Sequence, residues 1–267
     1  MGTEIVLIEY SHNGRIATVT MNRPEVHNAL NTALLQDLTN AFAELSRNED
    51  LSAVVLTGAG KSFSAGADMA MMQMAASYTQ EQNRQEAQRL NDTFEQLYRF
   101  PAPIIARVNG ATLGGGLGLL AVCDIGIAVD SARLAFSEVK LGIAPAVISP
   151  YVISKIGTSW ARRLFITGER FTPVLAREIG LLHTVVTADK LDAAVTDVLQ
   201  ELLSGGPHAL RACKMLARDI GGMERNDARE ITTETIARLR VSEEGQEGLR
   251  AFLEKRKPAW VTEQKAE

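Results

Sequence analysis

VNGATLGGGLGLLAVCDIGIAVDSARLAFSEVKLGIAP, from Val108 to Pro145, decides how this chain is read. Three glycines, Gly114–Gly116, open an apolar helix, and glycines at a helix start let backbone N–H groups approach a ligand closely. The helix dipole adds a preference for negative charge at that end. Two short strand-like runs then lead to a lone carboxylate, Glu138, set among apolar residues. Desolvation there disfavours the charged form and lifts a carboxyl towards the range useful for proton transfer. The plainer explanations are close helix–strand packing for the glycines and a pairing with Lys140 for Glu138.

Upstream, GAGKSFSAGADM (Gly58–Met69) follows an apolar run and precedes a Met-rich stretch, Met69 to Met74. Its small residues allow close backbone approach, and Asp68 is placed to cap the next helix. The plainer explanation is a tight turn with a cap. An N–H from Ala67 converging with one from the triple glycine would make a two-donor oxyanion hole.

Around these motifs strands and helices alternate, which predicts an α/β core. Alternating apolar residues in Ile5–Tyr10 and Ile16–Met21 flank Asn13-Gly14, a hairpin signal. From Ala29, leucines and Phe42 recur at helical spacing, Ser52–Thr57 reads as a doubly buried strand, and Gln80–Phe100 as an amphipathic helix stopped by Pro101 and Pro103. Ile104–Val108 and Ile125–Val129 complete the strand pattern. After residue 150 the chain reads as helical, over Tyr151–Lys155, Trp160–Thr167, Pro173–Ile179, Ala188–Leu203, Pro207–Ile220 and Asp227–Lys255.

Composition narrows the function. The 267 residues are 46% hydrophobic and 22% charged with a formal net charge of -4, and no Lys/Arg block offers a nucleic-acid footprint. No apolar run reaches membrane-spanning length and no leader pattern opens the chain, so a cytoplasmic location without membrane contact is expected. Two cysteines, Cys123 and Cys213, predict buried free thiols rather than a disulfide framework. GAGKS lacks the earlier glycine of a phosphate loop, since Val55 stands there, and no GxGxxG, HExxH or GxSxG occurs. The four histidines have no metal spacing, so no metal is expected.

Several ordered segments together resemble the crotonase (enoyl-CoA hydratase/isomerase) superfamily. They are TMNRPEVHNALN (Thr20–Asn31), GAGKSFSAGADM, VNGATLGGGLGLLAVCDIGIA (Val108–Ala128), FSEVKLGIAP (Phe136–Pro145), ARRLFITGERF (Ala161–Phe171), AREIGLLHTVV (Ala176–Val186) and EGLRAFLEKRKPAW (Glu247–Trp260). The resemblance implies an α/β spiral of ββα units over 1–200 and a C-terminal helical trimerisation region over 201–267, assembled as a homotrimer or dimer of trimers. It implies an acyl-CoA thioester as substrate, with coenzyme A part of the substrate and no separate cofactor. The oxyanion hole then falls on Ala67 and Gly115, and Glu138 is the catalytic acid/base. Coenzyme A would lie along Arg23, Val26 and His27, along Ala65, Ala67, Asp68 and Met69, and near Gly115 and Leu141. Phe252 and Lys255 would approach its adenine end, in some members from a neighbouring subunit.

The chain departs from the two-acid hydratases of that family at Gly118, where they carry glutamate. Three functions stay open. The pattern SEVKLGIAPAVISPYV (Ser137–Val152) with Ala161–Phe171 is similar to bacterial methylglutaconyl-CoA hydratases, which implies water addition to a branched 2-enoyl-CoA with one glutamate. Arg84 and Arg89 are then candidates for a distal substrate carboxylate, against solvated surface arginines. Alternatively, Glu138 shuttles a proton as in enoyl-CoA isomerases, or the chain is a catalytically weak acyl-CoA-binding scaffold.

Overall fold

The computed structural model describes residues 4–261. Strands β1 (Val6–Ser11) and β2 (Ile16–Met21) form an antiparallel hairpin whose tight loop places His12, Asn13 and Gly14 at positive φ. Helix α1 (Thr32–Leu45) follows, then β3 (Ala53–Gly58) and β4 (Ser62–Ser64), and helices α2 (Met69–Ala75) and α3 (Gln80–Tyr98). The arrangement recurs in β5 (Ile104–Val108), β6 (Ala111–Leu113) and α4 (Gly115–Val122), and again in β7 (Ile125–Val129), β8 (Leu134–Ala135) and α5 (Ser149–Thr167). Each unit is thus a long strand, a short strand and helix, the ββα spiral implied by the sequence resemblance.

The long strands, with the three-residue β10 (Thr184–Val186) at one edge, make one six-stranded sheet in the order β1-β2-β3-β5-β7-β10, parallel from β2 onward. The short ones form a second sheet, β4-β6-β8-β9, where β9 is Arg170–Phe171. β3 is buried along its whole length, as a strand covered on both faces must be. The core fills the space between this sheet and α1, α3 and α4, with Phe42 meeting Phe100 edge-on at 5.1 Å.

Helices α6 (Pro173–Glu178), α7 (Leu191–Ser204), α8 (Pro207–Asp219), α9 (Arg225–Val241) and α10 (Glu243–Leu253) complete the chain. Asp192 on α7 pairs with Arg107 near the C-terminal end of β5 at 2.7 Å, whereas the anchors of α8 and of the segment after α10 lie towards the strands' N-terminal ends. Lys214 on α8 pairs with Asp124 at 2.7 Å, just before β7, and donates to the Ala102 carbonyl just before β5. Arg211 donates to the Asn48 carbonyl, and Arg15, one residue before β2, reaches the Leu203 and Trp260 carbonyls. No described helix is long and apolar enough to cross a membrane.

Four expectations need correction. The helix expected from Ala29 starts at Thr32, because Asn31 caps it through Oδ1 to the Leu34 N–H while Asn28 sits left-handed at φ 54°. Asp227–Lys255 is two helices, since Ser242 turns extended and its Oγ caps α10 at Gly245. The region after residue 150 is not purely helical: β9 and β10 are strands of two and three residues, too short for alternation to show. Cys123 is a buried thiol, with burial pushing it up to about 12, but Cys213 is exposed on α8. The gap between Tyr151–Lys155 and Trp160–Thr167 is real: Gly157, at φ 70° and ψ 163°, bends α5 there.

Candidate active site

β4, β6 and β8 are neighbours in the second sheet, all running parallel. Adjacent strands lie about 4.8 Å apart, so the segments leaving their C-terminal ends emerge side by side. Ala67 comes just after β4, Gly115 just after β6 and Glu138 just after β8. Strand order alone therefore brings together three residues spread over 72 positions of chain (138 less 67, plus one).

Glycine closes the gaps between them. A Cβ on Gly66 would lie 2.7 Å from the Leu113 carbonyl oxygen and 3.4 Å from the Gly115 nitrogen, so only glycine lets the 65–68 loop touch the start of α4. Gly114, at φ 47°, turns the chain into α4, and its own Cβ position is 3.1 Å from Glu138 Oε1. The carboxylate thus stands beside the helix start, in the space a side chain at 114 would need. Neither the Ala67 nor the Gly115 N–H donates to a protein group among the described residues. Gly115 is the first residue of α4, where N–H groups have no intrahelical acceptor.

Glu138 opens a 3-10 turn, Glu138–Leu141, and is half-buried. Burial pushes its carboxyl above the ordinary carboxylate range, an effect its own backbone N–H opposes. Among the described residues Oε2, which is buried, has no hydrogen-bond partner, and Lys140 makes no ion pair with Glu138. The Lys140-paired reading therefore fails, and the desolvated one stands.

The turn from Arg23 to Leu30 is laced to the 64–68 loop. Ala65 N–H donates to the His27 carbonyl at 2.9 Å, Ser64 Oγ to that of Asn28, and Leu30 N–H to that of Gly66 at 2.7 Å. Arg23 pairs with Asp68 at 2.9 Å and donates to the Ala29 carbonyl. Asp68 also caps α2 at the Ala70 N–H. Burial opposes its ionisation, but the Ala70 N–H and Arg23 outweigh that and hold its carboxyl below the usual range. Arg23 and Asp68 are thus committed to holding the two segments together. Val26, His27, Ala67, Met69 and Leu141 are exposed, and Ala65 partly so.

Other expected residues lie elsewhere. Arg84 is exposed and bound through both ends of its guanidinium to Glu81. Phe252, 81% exposed, and Lys255 end α10, whose surroundings reach Arg15 and Ser204 through Trp260. Trp260 thus lies at the opposite end of β2 from the Arg23 turn.

Sequence reasoning passed over Asn28, which is fully buried with its Nδ2 on the Ala59 and Ser62 carbonyls and its Oδ1 on the Arg23 N–H. A polar residue amid NRPEVHNAL was the available sign. It also passed over Ile148 and Phe94, which fill the space above Gly118.

The enoyl-CoA hydratase/isomerase family profile matches residues 11–264, 95% of the chain by count (254 of 267). This chain belongs to the enoyl-CoA hydratase/isomerase family. It is 33% identical to the short-chain-enoyl-CoA hydratase of Clostridium acetobutylicum, over 91% of this chain and 93% of the relative. It is 32% identical to the 2,3-dehydroadipyl-CoA hydratase of Escherichia coli, over 93% and 95%. Among solved structures, an enoyl-CoA hydratase of Shewanella pealeana superposes with a TM-score of 0.91 at 40% identity, covering 96% of each chain. The protein is therefore a crotonase-fold enzyme of the hydratase/isomerase type acting on acyl-CoA thioesters. Its desolvated carboxylate lies beside a helix start whose first N–H has no protein acceptor among the described residues.

Proposed function

We propose that this enzyme hydrates a 2-enoyl-CoA with Glu138 as its sole acid/base group. The supporting observation is a half-buried carboxylate, with Oε2 buried and unpartnered among the described residues, placed beside the helix start that presents the Gly115 N–H. The thioester oxygen accepts from the Ala67 and Gly115 N–H groups, which draws electron density from C3. A water hydrogen-bonded to Glu138 forms its O–C3 bond as the C2–C3 π pair moves into the thioester enolate. Glu138 takes the water proton, then returns it to C2, and the thioester carbonyl is restored. One group on one face does both transfers, so addition is syn. Loss of one oxyanion donor typically costs about 3–4 kcal/mol of transition-state stabilisation.

A branched, methylglutaconyl-CoA-like acyl group is the preferred substrate on the strength of SEVKLGIAPAVISPYV. With Arg84 tied to Glu81, Arg89 is the better-placed candidate for a distal carboxylate. Coenzyme A runs along Val26, His27, Ala65 and Met69. Phe252 and Lys255 serve the adenine end of coenzyme A from a neighbouring copy in a trimer or dimer of trimers, a reading supported by the place of the nearby Trp260 at the opposite end of β2 from the Arg23 turn.

A second reading has its own support. The wall at Gly118 is hydrocarbon, which favours proton relocation without water: Glu138 removes a C2 proton from a 3-enoyl-CoA and returns it at C4. Absorbance separates the two. Hydration bleaches the conjugated absorbance of a 2-enoyl-CoA, 3-methylglutaconyl-CoA included, and isomerisation creates it from a 3-enoyl-CoA. Glu138→Gln is expected to lower kcat by about 10²–10⁴-fold in whichever reaction the enzyme performs. Undiminished turnover of every acyl-CoA by that variant would remove Glu138 from the mechanism, whereas no turnover by the wild type would return the chain to the scaffold reading.

A further inference from the structure

The AVISPY segment, Ala146–Tyr151, has no part in the chemistry above. It carries Ile148 to the head of α5, 3% exposed, directly over the face of α4 that bears Gly118. A Cβ on Gly118 would lie 2.3 Å from Ile148 Cγ2, 3.0 Å from Ile148 Cβ and 3.0 Å from Phe94 Cζ. Carbon atoms rest about 3.5–4.0 Å apart, so even a methyl group cannot enter as the chain stands. Ile148 is branched at Cβ and stiff about χ1, so it cannot swing the crowding atoms away. Phe94 is fully buried, its ring 6.2 Å from that of Tyr151. No other residue of α4, from Gly115 to Val122, carries a side chain that exchanges protons. A side chain starting at 118 would first meet hydrocarbon, surroundings that disfavour a charged group.

We propose that Ile148 is a specificity-determining residue, whose side chain occupies the place of a second carboxylate and, with Gly118 and Phe94, confines proton transfer to Glu138. This rests on the reading of Glu138 as the acid/base group. Gly118 and Ile148 are one device written 30 residues apart (148 less 118). On this view the missing acid is more than a substitution at one position, since its space has been closed. Water then reaches C3 from the Glu138 side only.

The test compares the wild type with Gly118→Glu, Ile148→Ala and the double variant. For each, thermal midpoint and rates of 2-enoyl-CoA hydration and 3-enoyl-CoA isomerisation are measured. Gly118→Glu alone is expected to lose several degrees of midpoint, or to fail to fold, without gaining hydration. Adding Ile148→Ala should restore the folded enzyme and raise hydration at least tenfold over Ile148→Ala alone. The pH profile should gain a second limb from the new carboxyl. The proposal is overturned if Gly118→Glu alone folds like the wild type and hydrates as fast as the double variant. It is equally overturned if the double variant folds and hydrates no faster than Ile148→Ala.

Should neither glutamate variant fold, Gly118→Ala in the two backgrounds decides. Its loss of midpoint must be smaller with Ile148→Ala, and an equal loss overturns the proposal. If the wild type turns over no enoyl-CoA, the function assigned to Glu138 fails, and with it the specificity role of Ile148. The midpoints still report whether residues 118 and 148 compete for one space.

Discussion

Glu138 sits half-buried against Gly114, and burial lifts its carboxyl above the ordinary range. The same lift has a consequence for stability. The folded state holds the proton at pH values where the unfolded chain has released it, so stability from this group is greatest at low pH and falls as pH rises through the folded pKa. Glu138→Gln, which cannot ionise, is therefore expected to raise the thermal midpoint at pH 7–8. The difference should close as pH drops below the unfolded carboxylate value. Calorimetric scans of both proteins from pH 4 to 8 check this, and a constant offset would count against it. At this scale the sequence was informative about Glu138, Ala67 and Gly115, because a carboxylate among apolar residues and clustered small residues are local facts. Ile148 was not legible. Nothing in AVISPY says which helix it will lie over, since that depends on a tertiary approach 30 residues away.

Elements show where such reading stops. The long strands were visible as buried apolar runs, whereas β4, β6, β8 and β9 have two or three residues each and no period to recognise. Yet those four build the sheet that aligns the site. Helix ends shifted where a side chain competed for backbone groups, at Asn31 and Ser242, while the glycine interruption of α5 was legible as a gap. Gly157 invites a direct test. Its φ of 70° and ψ of 163° lie in a region almost confined to glycine, although a Cβ there would meet nothing within 4 Å. Gly157→Ala should therefore cost about 1–3 kcal/mol through backbone strain alone. Urea denaturation would register it as a lower midpoint at unchanged slope. An unchanged midpoint would mean that α5 straightens without penalty.

Across the whole molecule, the two ends of the large sheet have separate roles. The C-terminal ends of the strands feed the catalytic cleft, and the N-terminal ends receive α8–α10. Arg15 is central at the N-terminal end, where its guanidinium reaches Ser52 Oγ and the Leu203 and Trp260 carbonyls. Arg15→Met keeps the stem and removes those bonds to a charged group, worth about 2 kcal/mol in sum after desolvation is offset. Hydrogen exchange over residues 243–253 should quicken before the sheet is affected. Exchange rising evenly throughout would show that α10 has no independent opening and that Arg15 holds nothing in particular.

The proposed oxyanion hole consists of two main-chain N–H groups, one of them on a residue that is already alanine. Side-chain scanning is therefore blind to it. An alanine scan of this enzyme would record Glu138 as a solitary catalytic residue and pass over the groups that carry the developing negative charge. Replacing the peptide link at Ala67 or Gly115 by an ester removes the N–H and leaves every side chain in place. In this enzyme an atom of the backbone, rather than a residue, is the unit on which function has to be mapped.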